Sequence, residues 1–128
     1  MNAAGRERKT TYVLGREAEQ AAYYFLQEQG LKPAEQNYRS PLGEIDLIMV
    51  DCDIYVFVEV RFRDESASVS GIETITATKQ RRVIKTALHY LQTNRLLHKV
   101  RCRFDVIGVE RNHNAFKFRW IKNAFMAK

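Results

Sequence analysis

Two adjacent runs of strand-forming residues constrain the fold of this chain more than any other feature. The first is GEIDLIMVD at residues 43–51 and the second is IYVFVEVRFR at residues 54–63. Both are rich in β-branched and aromatic side chains, which favour strands. Only Cys52 and Asp53 separate them, and a two-residue connection is typical of a β-hairpin. The sequence therefore predicts an antiparallel hairpin near the middle of the chain.

Helical and strand patterns surround this hairpin. Apolar residues at helical spacing predict one helix from about Gly15 to Gln29 and another that begins near residue 73 or 76 and ends at Asn94. Their apolar stripes consist of Ala18, Ala21, Ala22, Phe25 and Leu26, and of Val83, Ile84, Ala87, Leu88 and Leu91. Further strands are predicted at about residues 31–38, 101–110 and 116–121. The predicted order, αβββαββ, indicates an α/β sandwich around a mixed sheet.

Length and composition indicate a single domain. The chain has 128 residues, of which 45% are hydrophobic and 28% charged, and it is too short for two independent cores. We predict a flexible basic arm at residues 1–14 and one domain at residues 15–128. No stretch approaches the ~20 apolar residues of a membrane helix, and the polar N-terminus resembles no export signal. Two cysteines and three scattered histidines form neither a disulfide framework nor a zinc motif. We therefore expect a cytoplasmic protein with no membrane partner and no small-molecule cofactor.

Charge is divided unequally along the chain. Residues 1–73 carry 8 basic and 13 acidic side chains, a net charge of −5, whereas residues 74–128 carry 13 basic and 2 acidic ones, a net charge of +11. Such a distribution favours a polyanionic partner, and nucleic acid is the leading candidate. The alternative is a solvated basic face that only aids solubility. The candidate nucleic-acid contacts on the second helix are Arg81, Arg82 and Lys85.

The hairpin places carboxylates where strands usually carry apolar groups. With a turn at residues 52–53, Asp46 lies opposite Glu59 and Glu44 lies opposite Arg61. Directly opposed side chains have Cβ atoms about 4.5–5.5 Å apart, so the two acids repel each other. Three forms of compensation remain open: a shared proton, salt bridges to Arg61 and Arg63, or a divalent ion such as Mg²⁺, which prefers oxygen ligands. An acidic metal pocket beside a basic helix suits an enzyme that cleaves phosphodiester bonds.

These residues carry a family resemblance. Asp46, followed 13 residues later by Glu59-Val60-Arg61, resembles the PD-(D/E)xK nuclease signature. More closely, the sequence resembles the YraN-like family of uncharacterised bacterial proteins, which is related to archaeal Holliday-junction resolvases. The resemblance extends from about Gly15 to Phe125. Its motifs are GEIDLI at residues 43–48, VFVEV at 56–60, Arg63, Lys79 and RFDV at 103–106.

The resemblance implies a fold, an activity and a site. The fold is the restriction-endonuclease-like three-layer sandwich with a core αβββαβ order. The activity is Mg²⁺-dependent cleavage of DNA, including branched or junction DNA, with Mn²⁺ as a substitute ion. Asp46 and Glu59 match the metal ligands, and Glu19 matches the glutamate of the first helix better than Glu17 does. A homodimer is compatible with the resemblance, because the related resolvases act as two-fold dimers.

One residue departs from the family pattern, which usually has lysine where this chain has Arg61. Arginine stays protonated, with an unperturbed pKa above ~12, so Arg61 cannot act as a general base. Either activated water suffices for the reaction, or Lys79 of the second helix reaches the site. Lys79 is otherwise a surface residue that contacts phosphate. Two other functions stay open: a nucleic-acid-binding module on a nuclease scaffold with weak or lost catalysis, and a protein-interaction domain with an acidic partner.

Asp105 and Trp120 have structural interpretations. Asp105 lies between the apolar residues Phe104 and Val106, so we expect it to be buried and paired with Arg61 or Arg103. Trp120 is expected to pack in the core or at a sheet edge.

Overall fold

A computed structural model of the protein describes residues 11–64 and 75–127. They form two helices and five strands: α1 (Thr11–Glu28), β1 (Lys32–Ser40), β2 (Gly43–Asp51), β3 (Ile54–Asp64), α2 (Ala77–Thr93), β4 (Arg101–Asn112) and β5 (Ala115–Phe125). The strands form one sheet in the order β1-β2-β3-β4-β5. Strands β3 and β4 are parallel, and the other neighbours are antiparallel. The predicted α/β class with a mixed sheet is therefore confirmed.

The predicted hairpin is formed by β2 and β3. Asp51 pairs with Ile54 at the turn, and the ladder continues to Leu47 and Val58. Cys52 has a φ of 58°, a left-handed conformation that tight hairpin turns require. The two-residue turn thus sets the register that the sequence predicts, and it places Asp46 and Glu59 directly beyond the last regular pair.

The sheet lies between the two helices, which gives three layers. One core lies under α1 and contains Ala18, Ala22, Leu26, Leu47, Met49, Val56, Val58, Ile107 and Val109. The other lies under α2 and contains Ile48, Phe57, Val83, Ala87, Tyr90, Leu91, Phe104 and Val106. Successive residues of a strand point to opposite faces, so Val56 and Val58 contact the first core and Phe57 contacts the second. Neither described helix is long and apolar enough to cross a membrane.

The buried stripe of α2 differs in part from the prediction. Val83, Ala87 and Leu91 are buried as expected, but Leu88 is 45% exposed, and Tyr90 is buried instead. The prediction of a buried Leu88 is wrong because the stripe that faces the sheet is centred on Val83, Ala87 and Tyr90. Leu88 lies on the opposite side of the helix at 100° per residue.

Both helices begin at positions that refine the prediction. Helix α1 begins at Thr11, so residues 11–14 are helical and do not belong to an N-terminal arm; residues 1–10 lie outside the described part. The prediction started the helix at Gly15, but an interior glycine is tolerated at a cost of about 1 kcal/mol relative to alanine. Helix α2 begins after Thr76, an N-cap whose side chain accepts a hydrogen bond from the Lys79 N–H at 3.1 Å. The alternative start near residue 73 lies outside the described residues.

A buried polar network joins β4 to β5. Asp105 is fully buried and accepts hydrogen bonds from Arg103 Nε at 3.0 Å, Trp120 Nε1 at 2.9 Å and the Asn123 N–H at 2.9 Å. Arg103 also donates from Nη1 to Asp51 at 3.0 Å. The predicted pairing of Asp105 with Arg103 is confirmed. These donors from β4 and β5 occupy both carboxylate oxygens of Asp105. Its role is therefore structural.

The close contact between α2 and the start of β2 leads to a prediction about stability. A Cβ atom at Gly43 would lie 2.9 Å from Thr86 Oγ1, and Gly43 has a φ of 153°. Thr86 is fully buried and donates to the Arg82 carbonyl at 2.8 Å. We expect Gly43→Ala to lower the free energy of unfolding by about 1–3 kcal/mol, as overpacking does elsewhere. Urea unfolding measures this change.

Gly15→Ala is the matched control. Nothing lies within 4 Å of a Cβ at Gly15, which is inside α1. We expect this variant to be as stable as the wild type or more stable by up to about 1 kcal/mol. Equal effects of the two substitutions would show that the contact at Gly43 is not tight.

Candidate functional site

Two carboxylates lie at the end of the hairpin ladder. Glu59 is only 5% exposed. Asp46 Oδ2 accepts a hydrogen bond from the Val60 N–H at 2.8 Å, so its side chain takes a backbone donor just past the last regular pair of β2 and β3. This hydrogen bond holds the Asp46 carboxylate against β3, next to Glu59.

Glu59 has one oxygen with a partner and one without. Its Oε2 lies 3.1 Å from Lys79 Nζ. Its Oε1 is buried and has no hydrogen-bond partner among the described residues. A buried polar atom without a partner costs about 1–3 kcal/mol, and more when it is charged. With both acids ionised, the described residues offer no donor to this oxygen, so a proton shared with Asp46 or a cation is needed to satisfy it.

Burial and mutual repulsion perturb both acids. Burial, together with the Asp46 charge, raises the pKa of Glu59 to about 8, although the Lys79 ammonium opposes the shift. Burial also raises the pKa of Asp46, against the effects of the Val60 N–H, of Lys79 and of a side-chain hydrogen bond with Glu59. Both shifts have the direction expected when charge is taken out of water without full compensation. The pair therefore favours a proton or a cation in its vicinity.

Glu19 of α1 approaches this pair from the other layer of the fold. Burial raises the pKa of Glu19, and the nearby Asp46 charge raises it further, whereas Arg16 lowers it. Glu19, the predicted glutamate of the first helix, is thus close enough for its charge and that of Asp46 to repel each other. Within residues 11–64 and 75–127, no three His, Cys, Asp or Glu side chains are close enough to bind one metal ion together. The structure brings two carboxylates together and leaves Glu19 at longer range.

One alternative left open by the sequence was a salt-bridge ladder of Glu44 and Glu59 with Arg61 and Arg63. Glu44 instead pairs with Arg39 of β1 at 3.7 Å, and Arg63 pairs with Glu110 of β4 at 3.3 Å. That ladder does not form because β1 and β4 flank the hairpin and supply closer charges. Arg61 has no ion pair with any carboxylate in the described part of the chain, and its charge lowers the pKa of Glu59 from a distance.

Lys79 enters the site from the first turn of α2. The Thr76 cap fixes where that turn begins, and the packing of α2 on the sheet brings the Lys79 side chain to Glu59. Sequence reasoning left open whether Lys79 reaches the site or lies on the surface. No local spacing links a helical residue to a strand 20 residues earlier, so only the packed structure shows the 3.1 Å contact.

The three predicted nucleic-acid contacts on α2 are exposed and lie on neighbouring positions of the helix surface, since residues three and four apart are adjacent there. Arg81 and Lys85 border a groove of about 450 Å³ whose lining includes Ile84, Leu88 and Met126. Arg82 lies at the edge of this face, where its Cβ is 3.7 Å from the Cβ position of Gly43. Of the three residues, Arg82 is therefore the one beside the start of β2.

The donor set of this site fits a hard divalent cation. Mg²⁺ takes oxygen ligands and is usually held by one or two carboxylates, with water and phosphate at its remaining positions. Asp46 and Glu59 supply two carboxylates, and Glu59 Oε1 is a buried oxygen without a hydrogen bond. Lys79, whose side chain is 40% exposed, supplies a positive charge. The residues present are thus compatible with a two-carboxylate magnesium site.

Comparison with known proteins gives a consistent family assignment. A sequence model described as "Uncharacterised protein family UPF0102" matches residues 18–109. A UPF0102 protein of Coxiella burnetii is 49% identical over 114 residues, which are 89% of this chain and 92% of the relative. UPF0102 proteins of Nitrosococcus oceani and Legionella pneumophila are 43% and 44% identical over 111 and 117 residues. These matches cover 87% and 91% of this chain, and 90% and 98% of the relatives. The segment matched by the family model includes Glu19, Asp46, Glu59 and Lys79.

Proposed function

Because this chain belongs to the uncharacterised protein family UPF0102, whose description states no activity, we propose a function from the site itself. The function is metal-dependent hydrolysis of phosphodiester bonds in DNA. The observation that carries this proposal is the buried pair of Asp46 and Glu59, with the unpartnered Glu59 Oε1 and with Lys79 Nζ 3.1 Å from Oε2. Titratable groups perturbed by burial and by specific charges are enriched at catalytic sites.

The carboxylates have the chemistry to hold the metal. Asp46 and Glu59 would bind Mg²⁺, or Mn²⁺ in its place, and the ion would act as a Lewis acid toward a phosphate oxygen. The Val60 N–H keeps the Asp46 carboxylate in place. Glu19 adds negative potential that favours a cation at this position.

The cationic side chains have distinct roles in this proposal. Arg61 stays protonated, so it stabilises negative charge on the phosphate and cannot take a proton. Lys79 is the lysine that reaches the acidic pair, with Nζ 3.1 Å from Glu59 Oε2. Lys79 therefore replaces the lysine that the PD-(D/E)xK pattern has at position 61.

Nucleic acid as the substrate is supported by charge. Residues 74–128 have a net charge of +11, and α2 contains no acidic residue. Backbone phosphates are the ligands that such a distribution favours. DNA in preference to RNA, and branched DNA as one substrate, follow from the resemblance to PD-(D/E)xK nucleases and to junction resolvases.

The direct test is a cleavage assay on purified protein. Branched, single-stranded and duplex DNA are each incubated with Mg²⁺, with Mn²⁺ and with a chelator. We expect cleavage of at least one substrate with a metal ion and none with the chelator. Cleavage that persists in the chelator, or its absence on every substrate with both ions, would contradict the proposal.

The predicted contacts on α2 can be tested through binding. We expect simultaneous replacement of Arg81, Arg82 and Lys85 by alanine to weaken DNA binding about equally for all sequences. The slope of log K against log salt should fall by up to about 3, since each phosphate contact contributes about 0.9. Fluorescence anisotropy at several salt concentrations measures both quantities. Unchanged affinity and slope in a folded triple variant would show that DNA binds elsewhere.

A further inference from the structure

The face of the sheet that carries Glu59 continues beyond the acidic pair. Alternate residues of a strand share a face, so Arg61 and Arg63 of β3 lie on the same face as Glu59. In the parallel pairing of β3 with β4, Arg61 lies beside Gly108 and Arg63 lies beside Glu110. Residues of β4 therefore lie next to the two arginines, on the strand that neighbours β3.

Strand β5 adds two more cations to this face. Arg119 pairs with Gly108, and Lys117 pairs with Glu110. Four cationic residues from two strands thus surround Gly108: Arg61, Arg63, Lys117 and Arg119. One acid, Glu110, lies among them, and it forms an ion pair with Arg63 at 3.3 Å.

A hollow of about 370 Å³ lies at the centre of this arrangement. Its lining consists of Arg63, Gly108, Glu110, Lys117, Phe118 and Arg119. Because Gly108 has no side chain, the middle of the sheet face is not filled at this point. We name this feature the Gly108 hollow. The Phe118 ring stacks on Phe25 with centroids 4.5 Å apart, so its packing is already accounted for and charge dominates the hollow.

We propose that the Gly108 hollow binds a backbone phosphate of the nucleic acid that is cleaved at Asp46 and Glu59. This inference rests on the proposed function and adds the path of the substrate. Arginine forks bind phosphate oxygens in pairs, and lysine adds a point charge. Two strand spacings separate β3 from β5, roughly 10 Å. That distance is about three base-pair steps along the axis of a DNA duplex, at 3.4 Å each.

The test is a double variant, Lys117→Ala with Arg119→Ala. Both residues are exposed. Binding of a short labelled DNA duplex is measured by anisotropy over a salt series in the presence of a chelator. We expect at least about tenfold weaker binding, because hydrogen bonds to charged groups are the stronger ones. The slope of log K against log salt should fall by about 1.8 for two lost contacts.

Two further variants make this result specific. Lys99→Ala with Arg101→Ala removes the same charge at the opposite end of β4, where Arg101 pairs with Ile54, the first residue of β3. Arg101 and Asp53 form an exposed ion pair at 3.4 Å, so its loss costs little stability. Lys117→Arg with Arg119→Lys keeps the charge in the hollow. We expect both of these double variants to bind like the wild type.

The proposal is overturned if the hollow variant binds like the wild type, or if the control at Lys99 and Arg101 loses as much affinity. The chelator prevents metal-dependent cleavage, so this result does not depend on catalysis. If no DNA is cleaved but the hollow variant loses affinity as expected, only the proposed nuclease activity is rejected. Cleavage together with unchanged binding of the hollow variant would reject only the Gly108 hollow.

Discussion

Glu59→Gln and Asp46→Asn are each expected to reduce DNA cleavage at least about 100-fold while leaving DNA binding intact or stronger. Changing groups that only orient metal ligands already costs about 10–100-fold, so a lost ligand should cost more. Above pH 8, where Glu59 is ionised, each substitution removes a negative charge near the phosphate, which lowers repulsion in the bound state. Cleavage is measured with Mn²⁺ and binding is measured with a chelator.

Asp53→Asn is the matched control for this experiment. Asp53 is in the exposed hairpin turn, at the other end of the strands from Asp46 and Glu59, and its side chain is 79% exposed. The same loss of one negative charge there should leave cleavage unchanged. If Glu59→Gln cuts as fast as the wild type, Glu59 is not a metal ligand.

Arg61→Lys tests the departure from the PD-(D/E)xK pattern. We expect this variant to cleave as fast as the wild type or faster, because lysine is able to share a proton and arginine is not. Should the wild type be inactive on every substrate and Arg61→Lys fail to restore cleavage, the protein is a nucleic-acid-binding module on a nuclease scaffold.

The second large effect is expected in the pH dependence of stability. The pKa of Glu59 rises from 4.5 to about 8 in the folded protein. Between these values the folded state binds more protons than the unfolded state, so stability falls as pH rises through this window. Glutamine cannot ionise, so Glu59→Gln should lose this part of the pH dependence. Above pH 8 the variant should be more stable than the wild type by a few kcal/mol, at about 1.4 kcal/mol per pKa unit.

Thermal unfolding below pH 4.5 and above pH 8 measures this difference. The wild-type and Glu59→Gln melting temperatures should be close at the lower pH and diverge by several degrees at the higher pH. Asp53→Asn should follow the wild type. Mg²⁺ should raise the wild-type melting temperature above pH 8 and should have little effect on Glu59→Gln, because ligands stabilise only the state that binds them. Parallel wild-type and Glu59→Gln curves across the window would show that Glu59 is not perturbed by burial.

Local sequence was sufficient to determine the hairpin and the position of the two acids along it. A two-residue turn permits one register, and side chains alternate between faces with a period of two. Asp46 and Glu59 therefore come together without information from the rest of the chain. Burial of Asp105 was predictable from its apolar neighbours Phe104 and Val106, whereas the sequence left Arg61 and Arg103 both open as its partner.

Only the tertiary structure decided which charges meet the acidic pair. Helical periodicity identifies the faces of α2 but not the angle and depth at which it packs on the sheet. Here the close approach of Thr86 to Gly43 and the burial of Tyr90 in place of Leu88 define that packing. As a result, Lys79 reaches Glu59, and Arg82 lies beside Gly43. The Gly108 hollow likewise depends on the pairing of β3, β4 and β5. Contacts between residues far apart in sequence form only when a whole sheet and its helices pack together, and no local spacing encodes them.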